Sequence, residues 1–224
     1  MRNMLPFQCD FLELAIARDA LRFGEFTLKS GRVSPYFFDA GRLNGGRDLA
    51  VLGRCYAAAL VHAGLAFDML FGPAYKGIPL ATALAIAWSD RCDQNLPMAY
   101  NRKETKAHGE GGTLVGAPLA GRVLIVDDVI TAGTAIRESL ALIDAGNALT
   151  AGVVVALDRE EQGQNPLSAV QEVTRDYRIP VVAIARFSDL IALVGTNRAL
   201  QQHAPQLRAY RERYGAPSGP LDAC

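Results

Sequence analysis

The stretch "VLIVDDVITAGTA", residues 123–135, decides how the rest of the chain is interpreted. Four apolar residues, 123–126, run directly into two adjacent carboxylates, Asp127 and Asp128. A short turn rich in small and hydroxyl side chains follows, and a helical pattern begins after it. In an open α/β sheet, ligands bind outside the carboxyl ends of the strands. The stretch therefore predicts a ligand site at the end of a buried strand.

The residue types favour a ligand that carries hydroxyl groups beside a phosphate. Carboxylates accept hydrogen bonds from hydroxyls, while the free N–H groups and the dipole of a helix N-terminus attract a phosphate. Gly133 lets the backbone approach closely, and Thr131 and Thr134 add hydroxyl donors. A sugar phosphate fits this arrangement. Two other interpretations stay open on these residues alone: a metal-binding phosphotransfer site, and an aspartate that only caps a helix.

A second glycine-containing segment, "GPAYKGIP" at 72–79, has the glycine spacing of a nucleotide-binding P-loop. Ile78 and Pro79 stand where that motif requires Lys and then Ser or Thr. The segment is not a P-loop.

The apolar pattern around these segments predicts an α/β protein. Near-continuous apolar strands alternate with helical segments, which is typical of a mostly parallel sheet covered on both faces. A helix at 10–23 and a β-hairpin within 25–41 come first and predict a hood over one end of the sheet. We expect one domain over 1–214, with the hood at approximately 10–45, the core at approximately 46–214, and a disordered Gly- and Pro-rich tail at 215–224. The expected core strands are 67–71, 97–101, 122–128, 151–158 and 180–185, and the core helices are 47–63, 77–89, 134–145, 167–177 and 188–194.

Composition limits the possible functions. The chain has 224 residues, half of them apolar, and a formal net charge of zero, which argues against a nucleic-acid-coating surface. No apolar run approaches the length needed to span a bilayer. The four cysteines, Cys9, Cys55, Cys92 and Cys224, show no metal-like spacing with the histidines. We interpret them as reduced thiols in a cytoplasmic protein.

The segment "VDDVITAGTA" resembles the phosphoribosyl-diphosphate binding motif of the type I phosphoribosyltransferases. The resemblance implies the type I phosphoribosyltransferase fold, in which a mostly parallel sheet is flanked by helices. It also implies that the two aspartates contact ribose hydroxyls and that the turn holds the 5′-phosphate. The residues assigned in this way are Asp127, Asp128, Val129, Ile130, Thr131, Ala132, Gly133, Thr134 and Ala135.

Four other segments resemble the orotate phosphoribosyltransferases within that family. The resemblance implies transfer of the 5-phosphoribosyl group from phosphoribosyl diphosphate to orotate. The products would be orotidine 5′-monophosphate and pyrophosphate, in pyrimidine (UMP) biosynthesis. The segments are "FTLKSGRVSPYFFDAG" (26–41), "FGPAYKGIP" (71–79), "NRKETKAHGEGG" (101–112) and "LDREEQG" (157–163).

Orotate is a flat anionic ring, so its site needs an apolar face and cations. Phe37 and Phe38 are consecutive on the hairpin, and only one of them can easily face the ring because strand side chains alternate. Arg159 follows a buried strand and offers a planar fork of donors. Lys29 resembles the family lysine that reaches both substrates. The orotate set is Lys29, Phe37, Phe38, Thr131 and Arg159.

The polar segment 102–113 is expected to be a loop that closes over the site as a glycine-hinged lid. Cations on such a lid would stabilise the pyrophosphate as it leaves. The further residues assigned to phosphoribosyl diphosphate are Lys29, Tyr75, Lys76, Arg102, Lys103, Lys106 and His108, and the catalytic set is Lys106, His108, Asp127 and Asp128. Either Lys106 or His108 could be the general acid.

The resemblance also implies a cofactor and an assembly. Mg²⁺ would be held mainly by the substrate, with no direct protein ligand predicted, and the lid would be shared across a homodimer interface. Two alternatives remain: a non-catalytic sensor of phosphoribosyl diphosphate, and a transferase for a purine or another pyrimidine. The lid cations argue against the first, and Lys29 with Arg159 argues against the second.

Overall fold

A computed structural model describes residues 4–28, 30–106, 112–131 and 133–217, with the backbone alone at 104–106 and 112. The expectations for Lys29, His108, Ala132 and the tail beyond residue 217 lie outside this part of the chain. The strands are β1 (Leu21–Thr27), β2 (Val33–Phe38), β3 (Met69–Gly72), β4 (Met98–Lys106), β5 (Gly112–Gly116), β6 (Arg122–Asp127), β7 (Leu149–Asp158) and β8 (Val181–Arg186). The helices are α1 (Pro6–Ala17), α2 (Gly46–Ala63), α3 (Gly77–Cys92), α4 (Thr134–Ala145), α5 (Ala169–Tyr177), α6 (Phe187–Thr196) and α7 (Ala204–Tyr214).

The central sheet has six strands in the order β5-β4-β3-β6-β7-β8. Strands β4, β3, β6, β7 and β8 all run parallel to one another, whereas β5 runs antiparallel to its neighbour β4. The mostly parallel α/β sheet predicted from the sequence is confirmed. The chain starts the sheet at β3, adds β4 on one side and then crosses to β6 on the other side. The topological switch point, where open α/β sheets bind ligands, therefore lies between β3 and β6.

Both faces of this sheet are buried, which explains its continuous apolar strands. Along β6, Leu124 and Val126 join a cluster with α1, α2, α3, α6 and α7, whereas Val123 and Ile125 join a cluster with α4 and α5. All four side chains are fully buried. Because successive strand residues point to opposite faces, each of these four residues packs against one helical layer. The end of β6 is consequently held rigidly.

The N-terminal helix is shorter than predicted. We expected a helix over 10–23, but α1 ends at Ala17, and Asp19 takes a left-handed conformation with φ of 53°. Leu21 then begins β1 and pairs with Phe38 of β2 in an antiparallel ladder. Strand pairing at 21–23 overrides the helical periodicity there. The sequence prediction also assigned no helix to α7, which packs against the hairpin through the edge of Tyr210 on Tyr36.

The expected lid loop was wrong over most of its length. Residues 102–106 continue β4, and 112–113 begin β5, with Lys106 opposite Gly112 in an antiparallel pair. The register shifts between Asn101 and Lys106, so the two-stranded ribbon formed by β4 and β5 is irregular between these residues. A two-stranded ribbon satisfies its backbone hydrogen bonds without an apolar face. The polar composition of residues 102–113, from which we expected a loop, is therefore compatible with strands as well.

Other properties can be stated for the described residues only. None of their helices combines the length and apolar content needed to cross a bilayer. Cys9, Cys55 and Cys92 are free thiols, as predicted, and Cys224 lies outside the described residues.

The turn between β3 and α3 requires two glycines. A Cβ atom on Gly72 would come within 2.4 Å of the carbonyl oxygen of Gly77. A Cβ atom on Gly77 would come within 2.5 Å of Cδ of Pro73 and 2.8 Å of the carbonyl oxygen of Val126 on β6. The turn is therefore packed against the end of β6, and Lys76 within it is brought to the same place.

Substitution of Gly77 by alanine tests this close packing. Although alanine is the better helix former, the backbone must shift to admit a methyl group, and we expect Gly77→Ala to lower the free energy of unfolding by about 1–3 kcal/mol. Gly46 is the matched control, because it also begins a helix and a Cβ atom there meets nothing within 4 Å. Gly46→Ala should be neutral or stabilising by up to about 1 kcal/mol. Urea unfolding measures both, and equal stability of the two variants would contradict the packing argument.

Candidate active site

The candidate site lies at the switch point and joins three distant parts of the chain. Nζ of Lys76, in the turn after β3, donates to Oδ2 of Asp128 at 2.8 Å. The same Nζ lies 3.9 Å from Oδ1 of Asp39, which follows β2. Asp128 is buried, whereas the Lys76 side chain is half exposed. A cation that is open to solvent is thus held over a buried carboxylate.

The aspartate pair is fixed by backbone hydrogen bonds on both sides. Oδ1 of Asp127 accepts from the Asp128 N–H, and Oδ1 of Asp128 accepts from the Val129 N–H, each at 2.9 Å. The carbonyl oxygen of Asp128 accepts from two N–H groups of β7, and the Tyr56 hydroxyl of α2 donates to the carbonyl oxygen of Asp127 at 2.8 Å. Both carboxylates are consequently oriented before any ligand arrives.

Burial and mutual repulsion control the charge of this pair. Burial, and after it the neighbouring Asp128 carboxylate, raise the pKa of Asp127 to about 7, against a smaller opposing effect of Lys76. Burial also lowers the pKa of Lys76, but its hydrogen bond to Asp128 and the nearby carboxylates outweigh burial, so that pKa is raised. The lysine therefore stays charged near neutral pH, and Asp127 is poised between its two forms.

The turn after the pair leads into a helix N-terminus that is open to an anion. Gly133 has φ of 67° and precedes α4, and no side chain in the described residues caps this helix. The N–H groups of the first helical turn are therefore available. Thr134 accepts a hydrogen bond from Nη2 of Arg137 at 3.2 Å. Thr131 is exposed beside them.

The base of the antiparallel ribbon reaches the turn that carries Lys76. Oδ1 of Asn101 accepts from the Ala74 N–H at 2.8 Å. Nζ of Lys103 lies 5.3 Å from the ring centroid of Tyr75, which is 61% exposed. Arg102, next to Lys103, is half-buried. The structure therefore brings these predicted residues into the neighbourhood of Lys76, whereas the side chain of Lys106 lies outside what it describes.

The predicted base-binding residues lie in and beside the hairpin. Phe38 is buried and packs edge-on against Phe11 of α1, with ring centroids 5.8 Å apart. Phe37 is half-buried and packs on Phe26, at 5.5 Å. Of the two phenylalanines, Phe38 is thus the one that fills the hood. Arg159, just after β7, has a side chain that is only 16% exposed.

Sequence reasoning missed four residues that support the site. Asp39 approaches Lys76, Tyr56 holds the Asp127 carbonyl, and Glu161 and Tyr36 contact Arg159. Asp39, Tyr56 and Tyr36 act across large separations along the chain, so local spacing gave no signal for them. Glu161 stands two residues from Arg159 within "LDREEQG", so only its proximity to Arg159 could be seen in the sequence.

This combination of switch point, oriented carboxylate pair and open helix N-terminus defines a class of protein that binds a phosphorylated sugar. Comparison with known families agrees, since residues 49–187 match the model of the phosphoribosyl transferase domain.

Individual relatives narrow the assignment. The orotate phosphoribosyltransferase of Klebsiella pneumoniae is 58% identical over 212 residues, which cover 95% of this chain and 100% of that protein. That of Chromohalobacter salexigens is 59% identical, over 95% of this chain and 97% of that protein. The crystal structure of the Francisella tularensis orotate phosphoribosyltransferase superposes with a TM-score of 0.82 at 41% identity, covering 92% and 98% of the two chains. The chain belongs to the orotate phosphoribosyltransferase family.

The raised pKa of Asp127 predicts how stability depends on pH. Its ordinary pKa is 3.8 and its folded pKa is about 7, so the fold favours the neutral carboxyl. The contribution of Asp127 is then greatest below its unfolded pKa and is lost as the pH rises through about 7. Asp127→Asn is always neutral, so it should be more stable than the parent protein at about pH 8. This advantage should shrink by on the order of 1–3 kcal/mol toward about pH 5.

The measurement is urea unfolding at both pH values without ligand. Asp68→Asn is the control, because hydrogen bonds from Arg122 lower the pKa of Asp68 to about 2, well below this window. Its effect on stability should be the same at both pH values. A pH-independent effect of Asp127→Asn as well would show that Asp127 is not perturbed.

Proposed function

We propose that this chain transfers the 5-phosphoribosyl group from phosphoribosyl diphosphate to orotate, giving orotidine 5′-monophosphate and pyrophosphate for pyrimidine biosynthesis. One observation carries most of the argument: Asp128 of the aspartate pair binds a cation, Lys76, and the pair is followed along the chain by the open N-terminus of α4. Relatives at 58–59% identity that cover 95% of the chain support orotate as the acceptor.

The phosphoribosyl group would lie along the end of β6. Asp127 and Asp128 accept hydrogen bonds from the ribose hydroxyls, and the N–H groups of 131–135 bind the 5′-phosphate. Lys76 is already over the pair and meets the diphosphate, together with Tyr75 and the ribbon cations. The full proposed set is Lys29, Tyr75, Lys76, Arg102, Lys103, Lys106, His108, Asp127, Asp128, Val129, Ile130, Thr131, Ala132, Gly133, Thr134 and Ala135.

Bond cleavage separates charge, and the proposed site stabilises both of the charges that develop. Positive charge grows on the ribose carbon, close to Asp127 and Asp128, and negative charge grows on the leaving pyrophosphate, close to Lys76. Groups that are oriented in advance stabilise such charges most effectively. Lys106 and His108 are proposed to join Lys76 there, and either could protonate the pyrophosphate.

The acidic residues present fit a Mg²⁺ ion that arrives with the substrate. Among the described residues, no cluster of three metal-ligating side chains exists. Mg²⁺ usually keeps several waters and is bound largely through substrate phosphates, so we propose that the substrate mainly holds the ion and assign no direct protein ligand. When bound, the ion would neutralise diphosphate charge.

The acceptor base, orotate, would be bound by the hairpin and the segment after β7. From the predicted orotate set of Lys29, Phe37, Phe38, Thr131 and Arg159, we propose Phe37 rather than the buried Phe38 as the aromatic contact, with Arg159 facing the anionic groups of the ring. Phe37 is the more accessible of the two aromatic candidates.

We further propose that residues 1–214 form one domain. We also propose that the protein is a homodimer in which each lid closes over the neighbouring site, and that it acts in the cytoplasm. A single apolar cluster that includes residues of α1, the hairpin and α7 supports the first. The ribbon β4–β5 at the edge of the sheet supports a lid that extends away from its own core. Three free thiols are compatible with a reducing compartment.

The acceptor assignment is tested by turnover with four bases. The protein should convert orotate and leave uracil, adenine and hypoxanthine unchanged. Arg159→Ala should weaken orotate binding by about 2–5 kcal/mol, because it removes the partner of an anionic ligand, while binding of phosphoribosyl diphosphate stays nearly intact.

Calorimetry with each substrate separates these effects. Arg122→Ala is the control, since Arg122 is an exposed arginine whose partner, Asp68, lies at the opposite end of β6. Conversion of another base, or equal loss of affinity for both substrates in Arg159→Ala, would contradict the assignment.

The shared lid predicts complementation between inactive variants. Lys106→Ala and Asp128→Ala should each be nearly inactive as homodimers. If a lid serves the neighbouring site, a mixed dimer has one site with both defects and one with neither. Random reassociation of equal amounts in a closed two-fold dimer should restore about one quarter of the parent activity. A mass tag verifies exchange, and exchange without regained activity would show that each lid serves its own chain.

A further inference from the structure

Arg159, just after β7, is held by the largely buried carboxylate of Glu161. Nε and Nη2 of Arg159 both donate to Oε1 of Glu161, at 3.0 and 2.7 Å. The Tyr36 hydroxyl donates to the same oxygen at 3.0 Å. The Glu161 side chain is only 11% exposed, and the Tyr36 ring lies under the guanidinium, 4.9 Å from its central carbon.

The backbone of this segment is anchored by other residues. Glu160 accepts from the Ser188 N–H at 2.7 Å and from Nη1 of Arg211 at 2.9 Å. Arg32 donates to the carbonyl oxygens of Gln162 and Gly163, at 2.6 and 3.2 Å. The segment is therefore tied to α6, α7 and the hairpin without Glu161. The carboxylate of Glu161 is directed at Arg159 and Tyr36 instead.

These contacts leave the guanidinium one orientation. Glu161 occupies the edge formed by Nε and Nη2, and Tyr36 covers one face. Among the described residues, no hydrogen bond is made to Nη1 of Arg159. Arg159 also lies near the aspartate pair, because Leu157, two residues earlier, donates its N–H to the Asp128 carbonyl oxygen at 3.2 Å. Arg159 follows β7 as Asp128 follows the neighbouring parallel strand β6, so both residues stand at the same edge of the sheet.

We propose that Glu161 is a positioning residue that sets the affinity for the anionic base by fixing the Arg159 guanidinium. This inference rests on the proposed function and concerns the same site. Glu161 itself does not touch the base. Its hydrogen bonds select the rotamer in which Nη1 and the outer donor of Nη2 face the ligand, so that orotate does not have to order a long side chain when it binds.

A second effect has the opposite sign. The negative charge of Glu161 repels an anionic base, and removing that charge alone would favour binding. We expect orientation to dominate, because a hydrogen bond between two charged groups in a buried place is short, directional and worth more than a neutral one. The repulsion acts over a longer distance, with Arg159 between the two negative charges.

The experiment separates position from charge with three variants. Glu161→Ala removes the acceptor, Glu161→Asp keeps the charge but withdraws it by one methylene, and Glu161→Gln keeps an acceptor in place without the charge. The KM for orotate should rise about tenfold or more in the Ala and Asp variants and less in the Gln variant. The KM for phosphoribosyl diphosphate and kcat should change by less than about twofold, because the aspartate pair is untouched.

Glu160→Gln is the matched control, because Glu160 is the adjacent glutamate and holds the same segment without touching Arg159. Its KM for orotate should equal that of the parent protein. KM does not depend on the folded fraction of a preparation, so partial unfolding of a variant does not obscure the result.

Three results would overturn the inference. An orotate KM that is unchanged in all three variants would show that Arg159 needs no support. A lower KM in the Ala and Gln variants would show that charge repulsion dominates. An equal rise in Glu160→Gln would show that general stiffness of the segment is responsible. Failure of the parent protein to use orotate would instead refute the proposed function, which is a separate outcome.

Discussion

The ion pair between Lys76 and Asp128 is the interaction on which the site depends. It joins the turn after β3 to the end of β6, the two strands on either side of the switch point. Neither end can move freely, because Gly77 is packed against the carbonyl of Val126 and the Asp128 carbonyl accepts from β7. The fold thus holds a cation and a carboxylate together at the edge of the sheet where a ligand binds.

The same geometry determines the charge of the two aspartates. Two adjacent, largely buried carboxylates share one half-exposed lysine, so their repulsion is only partly compensated. The remaining repulsion contributes to the raised pKa of Asp127. A ligand that brings hydroxyl donors and a cation would complete the compensation. The site of the free protein is therefore arranged for a polyhydroxylated, metal-bound anion, which matches phosphoribosyl diphosphate.

Local signals in the sequence were sufficient for the centre of the fold. Residues 123–126 are apolar on both faces and are followed by two aspartates, and α4 has the predicted bounds of 134–145. The prediction was wrong where strand pairing decides the structure. Residues 21–23, expected in the first helix, pair in β1, and the polar residues 102–106, expected in a loop, pair in β4. Glu161 could not be singled out either, because spacing does not show that its carboxylate accepts from both Arg159, two residues away, and Tyr36, 125 residues away. Such contacts exist only in the folded chain.

The most direct test of this view is a ¹³C-NMR titration of the Asp127 carboxyl, with and without magnesium phosphoribosyl diphosphate. In the free protein we expect a pKa of about 7, because burial and Asp128 disfavour the charged form. With the ligand bound we expect that pKa to fall clearly below the free value, because ribose hydroxyls donate to the carboxylate and stabilise its charge. An Asp127 pKa that stays unchanged when the ligand saturates the protein would contradict the placement of the ribose on this carboxylate pair.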